Sequence, residues 1–225
     1  MIELESTICP VCGAPSGRCS CLAGYSEGFR ELLSSEEPRA LIEGSHVSNC
    51  DFREWEHERR FLASTIHRDG SVLDIGCANG FFLRSLQEWS GRKLDPYGID
   101  VDAHGLDAAR EMFPNEADHF VPLGIQQLDE RAACGLPEQF DFVYWNVWDN
   151  FELNDPSGRE ALRLAWEAVA PGGRLVLGLY HSDRQKNLDT AEFLRFVGYT
   201  VAGVVEHPEG RSEVAIFLDK PSVAV

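Results

Sequence analysis

The chain lacks any run approaching the roughly 18–20 apolar residues of a membrane-spanning helix, so no transmembrane segment is expected. Its opening stretch, MIELESTICPVCG, has no basic region followed by an apolar one, which argues against a secretory signal and for a cytoplasmic location. Positive charge is scarce: 20 Lys and Arg stand against 37 Asp and Glu, a formal net charge of −17. Docking on a phosphate backbone depends on Lys and Arg displacing counterions. The deficit therefore disfavours nucleic acid and favours a small-molecule substrate. Repeats and low-complexity stretches are absent, and so is the Gly-x-Gly-x-x-Gly spacing of nicotinamide dinucleotide binders. What is present suits a folded chain: 225 residues, 44% hydrophobic, enough for one α/β domain with a small appendage. Composition gives no oligomeric state.

Seven cysteines are present, four of them (Cys9, Cys12, Cys19 and Cys21) within thirteen residues. Without a secretory signal a disulfide framework is disfavoured, and clustered thiolates read as metal ligands. Cys9-Pro-Val-Cys12-Gly has the form of a zinc knuckle, and Cys19-Ser-Cys21 offers a second pair. Four thiolates suit a tetrahedral structural zinc, with His46 or Cys50 as replacement ligands. The alternative is free thiols on a tail. Residues 1–50 are expected to form this cysteine-rich extension and lid, and residues 51–225 the main domain.

From residue 51 the hydrophobic pattern becomes regular. Residues 51–67 read as a helix, with Asp51 as N-cap and Phe52, Trp55, Arg59 and Leu62 on one face. Strands are expected at 71–75, 95–100, 119–123, 140–146 and 174–180, alternating with helices at 81–89, 103–112, 127–134 and 158–169. That alternation implies a mostly parallel sheet with helices on both faces. After a helix at 190–197, strands at 199–206 and 213–218 are joined by too few residues for a helical crossover, so they form an antiparallel hairpin.

The strongest local signal is Val72-Leu73-Asp74-Ile75-Gly76-Cys77-Ala78-Asn79-Gly80. A buried strand ends in an acid, and small residues then bring the backbone close to a ligand at a helix start. Twenty residues beyond Gly80, Asp100 ends the second strand, where a carboxylate accepts both hydroxyls of a ribose. A dinucleotide needs a helix N-terminus for its pyrophosphate, whereas a sulfonium nucleoside has no phosphate.

On these residues, the FDFVYWN strand, the PGGRLVL segment and the terminal hairpin, the chain from about 51 to 220 resembles the class I S-adenosylmethionine-dependent methyltransferases. The resemblance implies a Rossmann-like fold with a seven-stranded, mostly parallel sheet ending in an antiparallel hairpin. It also implies S-adenosylmethionine as cofactor. Asp74, Gly76, Cys77, Ala78 and Gly80 would line its methionine part, with Cys77 as a packing residue rather than a nucleophile. Asp100 would hold the ribose and Val101 would pack on adenine. Relatives often carry an Asp where this chain has Ile125, so Gln126 is the expected substitute at the adenine edge. Asn146 would face both cofactor and acceptor.

Methyl transfer needs alignment and desolvation, and a base only where the acceptor must lose a proton. The candidates beyond Asn146 are Asp149 and His181, at the ends of the fourth and fifth strands. Relatives that methylate amino groups of nucleobases or glutamine amides often have an Asn-Pro-Pro-aromatic run; Asn146-Val147-Trp148-Asp149 departs from it. Trp145 and Trp148 are candidates for stacking on a planar substrate. The linker after the fifth strand is too short for a lid, so the cover must come from residues 1–66, with Trp55, His57 and Arg60 as its candidates. The expected function is methyl transfer to a small molecule. One alternative is a ribosomal RNA guanine methyltransferase, against which residues 1–70 hold seven Lys and Arg but twelve Asp and Glu. Another is a non-catalytic cofactor binder with a docking knuckle.

Overall fold

Seven strands build one sheet: β1 (Gly70–Ile75), β2 (Leu94–Asp100), β3 (Phe120–Pro122), β4 (Phe140–Val147), β5 (Val169–Leu179), β6 (Val201–Glu206) and β7 (Val214–Asp219). This computed structural model describes residue 9 and residues 21–35, 38–45, 51–147 and 152–222. The strand order is β3-β2-β1-β4-β5-β7-β6. The first five strands pair parallel, while β7 runs antiparallel to both β5 and β6. The expected fold, terminal hairpin included, is the one observed. Strand order reverses between β1 and β4, and in open α/β sheets ligands bind outside the carboxyl ends at such a switch point.

Alternation along the strands sends side chains to two cores. Leu73, Ile75, Val143, Trp145, Leu175, Leu177 and Ile216 face α6 (Pro156–Glu167) and α7 (Arg184–Phe196). Val72, Phe142, Tyr144, Val176 and Ala215 face the other way. There they meet α3 (Phe52–Arg59), α4 (Phe81–Ser90) and α5 (Ala103–Met112). The short helices α1 (Glu27–Ser35) and α2 (Pro38–Glu43) join this second core through Phe29, Leu33, Leu41 and Ile42. Phe29, Phe52, Trp55 and Phe81 form one aromatic cluster, and burying each such side chain contributes about 1.5–3 kcal/mol.

Asp51 caps α3 as expected. Its Oδ1 accepts the Glu54 N–H at 2.9 Å while Glu54 Oε2 accepts the Asp51 N–H, a reciprocal capping box. The helix does not run on to residue 67; a 3₁₀ turn takes over at Arg60–Thr65. Tyr144 fixes that turn, donating to Leu62 O at 2.9 Å and bonding the Thr65 hydroxyl. The helix expected at 127–134 is a 3₁₀ segment, Ile125–Glu130, because only Leu128 of that stretch is fully buried and no apolar stripe exists to dock a full helix. α7 begins earlier than the pattern implied, since Asp183 accepts the Gln185 N–H and starts it.

Candidate cofactor and acceptor sites

The turn after β1 is built from backbone rather than side chains. Gly76 and Cys77 donate their N–H groups to Ile99 O at 2.8 and 3.0 Å, which joins the turn to β2. Gly76, Ala78 and Gly80 all have positive φ, and space lies open where a Cβ on Gly76 would be. Gly80 also needs its missing side chain, since a Cβ there would press on Phe113 and Ala109 at 3.1 and 3.3 Å. Asp100 braces the turn from β2, its Oδ2 accepting the Ala78 N–H at 2.8 Å and its Oδ1 the Asp102 N–H at 2.9 Å.

Asp74 lies at the centre, 1% exposed, with an Oδ1 that has no hydrogen-bond partner. Burial, and then the charge of Asp100, push its carboxyl well above the usual range. Two neighbouring carboxylates, one of them with an unsatisfied oxygen, form a locus that a cationic ligand relieves. Beyond Asp100, Val101 is 80% exposed, and a Cβ on Gly124 would touch it at 3.4 Å, so an apolar side chain and a bare loop sit side by side. Gln126 is exposed on that loop, while Ile125 packs against the core. The residues present therefore fit S-adenosylmethionine: acids for a cationic amino-acid part, a carboxylate for a ribose, an apolar shelf for a base. Cys77 packs; its Sγ would lie 2.6 Å from a Cβ on Gly98, and burial pushes its thiol up.

The acceptor-side expectations divide between the two faces of the sheet. Asn146 lies on the face of Asp74, where its Oδ1 accepts the Tyr180 hydroxyl at 2.9 Å. Gly178 makes this contact possible, because a Cβ there would collide with Asn146 Oδ1 and lie 2.9 Å from the Tyr180 oxygen. His181 instead lines a cleft of about 360 Å³ with Val147, Leu179, Lys186 and Phe193, on the side of α7. Its Nδ1 accepts the Asp183 N–H at 2.9 Å and its own N–H goes to Asn187 Oδ1. Trp145 points into the α6–α7 core. Asp149 and Trp148 lie outside the described residues.

The three side chains expected in the cover lie on or beside α3 but point to other partners. Trp55 is buried and donates its Nε1–H to Ser85 Oγ at 3.3 Å, His57 reaches the hairpin, and Arg60 pairs with Glu56. The residue that reaches the site is Arg59, 6% exposed, with its guanidinium 3.9 Å from the Tyr180 ring centroid. The β6–β7 turn clasps α3 above it. His57 Nε2 meets Glu209 Oε2 at 3.0 Å and Arg211 meets Glu58 at 3.0 Å. His207 Nε2 lies 3.0 Å from His57 O, and since a carbonyl only accepts, that nitrogen carries the proton. Asn79 ties the other flank, donating to Leu41 O of α2 at 2.7 Å.

The zinc expectation finds no support among the described residues, where no group of three or more His, Cys, Asp or Glu is placed to hold a metal ion. Cys9 is buried in the core with α1 and α3, and Cys21 packs against that core. Cys12, Cys19, His46 and Cys50 lie outside the described residues. No helix of the described residues is long and apolar enough to cross a membrane.

The chain belongs to the methyltransferase domain family, whose profile matches residues 48–207. Among curated proteins it is 29% identical over 147 residues to the ribosomal protein L11 methyltransferase of Paraburkholderia phymatum, covering 65% of this chain and 42% of that protein. It is 26% identical over 194 residues to the tRNA U34 carboxymethyltransferase of Aliivibrio fischeri, covering 83% and 55%. The chain thus spans about half the length of the curated relatives it matches. Among solved structures, the N-methyltransferase NodS of Bradyrhizobium japonicum in complex with S-adenosyl-L-homocysteine superposes with a TM-score of 0.56 at 17% identity, over 82% of this chain and 98% of that one. At that identity the likeness is one of fold.

Proposed function

We propose that this chain transfers a methyl group from S-adenosylmethionine to a small-molecule acceptor seated between the carboxyl ends of β4 and β5 and the roof made by α3. The observation that carries the reading is the buried Asp74 oxygen without a partner, beside a backbone turn with open space and a second carboxylate at Asp100. When bound, the cofactor supplies an electrophilic methyl carbon on a positively charged sulfur. Asp74 and Asp100 draw that cation in, with Asp100 holding the ribose. Gly76, Cys77, Ala78 and Gly80 supply close backbone along the methionine part. Val101 and the loop at Ile125 and Gln126 flank the base. Asn146, held by the Tyr180 hydroxyl, borders the acceptor, and the α3 roof keeps water from the reacting atoms.

A small acceptor suits a site roofed by α3 and clasped by the β6–β7 turn, on a chain with an acidic excess. A macromolecular acceptor is the second reading, favoured by the names of the curated relatives, which act on a ribosomal protein and on tRNA. The test is transfer from methyl-labelled S-adenosylmethionine into an extract fractionated into metabolites, RNA and protein. Label among metabolites supports the first reading. Label confined to RNA or protein replaces it with the second, and bound cofactor without label anywhere favours a binding protein without catalysis.

A further inference from the structure

Resting on the methyltransferase reading, we infer that the acceptor is an aliphatic amine and that Glu213 is the residue that recognises it. The register of the sheet leads to this residue. Asn146 pairs with Gly178, and Gly178 with Ala215. The β5–β7 ladder closes at Leu179 and Val214, so one step further Tyr180 stands opposite Glu213. Residues directly opposite in an antiparallel pair share a face. Asp74, Asn146, Tyr180 and Glu213 therefore share one face at the carboxyl edge, stepped diagonally from β1 to Tyr180 and Glu213, on the side roofed by Arg59. Burial pushes the Tyr180 phenol up; the charges of Asp74 and Glu213 add to that rise and Arg59, over its ring, opposes it.

Two of these four hold a buried oxygen without a hydrogen-bond partner, Asp74 Oδ1 and Glu213 Oε2. Leaving a buried acceptor unmade costs about 1–3 kcal/mol, so each calls for a donor. Asp74 lies at the cofactor turn and is answered there. Glu213 lies three strands away, past Asn146 and Tyr180, where the cofactor turn does not reach. Nothing in the cofactor reading uses it, so its missing donor belongs to the other substrate.

An amine supplies that donor and suits the chemistry of a carboxylate. The neutral nitrogen attacks the methyl carbon; the new N–C bond forms as the C–S bond breaks and its electron pair returns to sulfur. The product ammonium keeps its charge against the Glu213 carboxylate and releases its extra proton to solvent on leaving. A carboxylate is too weak a base to ionise an aliphatic alcohol before attack, so an amine fits this residue better than a hydroxyl. Glu213 and Asp74 favour the protonated amine, and Arg59, held over Tyr180, opposes them, so the nucleophilic form is released as the acceptor settles beside the guanidinium.

The experiment uses the full chain, methyl-labelled S-adenosylmethionine and the metabolite fraction of a cell extract. That fraction is divided, and one half is treated with an amine-selective acetylating reagent. Cofactor binding is measured in parallel by calorimetry. The expected result is label in the untreated half and at least a tenfold loss in the acetylated half. Glu213→Gln should lower transfer at least tenfold while cofactor affinity stays within twofold and the melting temperature holds. Glu213→Asp should restore part of the transfer, which a merely structural role would not require. Equal labelling of both halves, or full transfer by Glu213→Gln, overturns the inference and leaves the methyltransferase reading intact. Absence of cofactor binding by the wild type overturns that reading and this inference with it.

Discussion

The two halves of the carboxyl edge are built by different means. The half around β1 and β2 is made of backbone. Its turn is pinned by N–H groups on Ile99 O and by the Asp100 carboxylate on Ala78, all drawn from residues 74–102. The half around β4, β5 and β7 is made of side chains from distant segments: Arg59, Asn146, Tyr180 and Glu213. A backbone cradle suits a ligand that does not vary. A side-chain cluster can be retuned residue by residue, as an acceptor site requires. Substitutions should therefore separate, those on the first half changing cofactor binding and those on the second changing transfer.

The largest effect is expected from Asp100→Ala. It removes the proposed ribose contact together with two charge-assisted bonds to backbone, so cofactor affinity should fall at least tenfold. Stability should drop by about 3 kcal/mol, which calorimetric melting would record as about 6–12 °C. Unchanged affinity would remove the ribose assignment.

Asp74→Asn should act in opposite directions on the two observables. The folded carboxyl is raised above its unfolded value, so the folded state holds more protons between the ordinary carboxylate range and the raised one. Stability therefore falls as pH rises through that window. Asn removes this slope and should raise the melting temperature of the cofactor-free protein at neutral pH by about 2–4 °C, the yield of about 1 kcal/mol. Cofactor affinity should meanwhile fall about tenfold, because the acid that meets the cation is gone. In the wild type, affinity should weaken as pH falls and Asp74 takes up its proton, which calorimetry at several pH values would follow.

Tyr180→Phe is a milder test of the second half. Loss of the bond to Asn146 should lower transfer about three- to tenfold, with cofactor affinity unchanged. The smallest effect is expected from His181→Gln. That ring lines the α7-side cleft and accepts the Asp183 N–H, so transfer should stay within about threefold. A loss near a hundredfold would make His181 the general base after all.

The same contrast governs how much could be read from the sequence. The alternation of strands and helices, the terminal hairpin and the turn at 76–80 follow from local patterns, because each is specified by residues close in the chain. The 3₁₀ segments did not, since they turn on how much apolar surface finds a partner. Arg59 fell on the apolar stripe of α3 with Phe52 and Trp55 and read as a core neighbour; its place over the ring of Tyr180, 121 positions on, is set by the tertiary fold. Glu213 carried no signal, because the register that sets it opposite Tyr180 belongs to the β5–β7 ladder. One clue lay in plain sight: Gly178 inside an apolar strand marks a close approach, and the Tyr180–Asn146 bond is that approach.

The central claim is that the two halves do separate work, and one titration addresses it most directly. S-adenosylhomocysteine would be titrated calorimetrically into the wild type, Asp100→Ala and Glu213→Gln. The account predicts one site per chain in the wild type, binding weakened at least tenfold by Asp100→Ala, and affinity within twofold for Glu213→Gln. Absence of binding in the wild type, or a larger loss from Glu213→Gln than from Asp100→Ala, would contradict it.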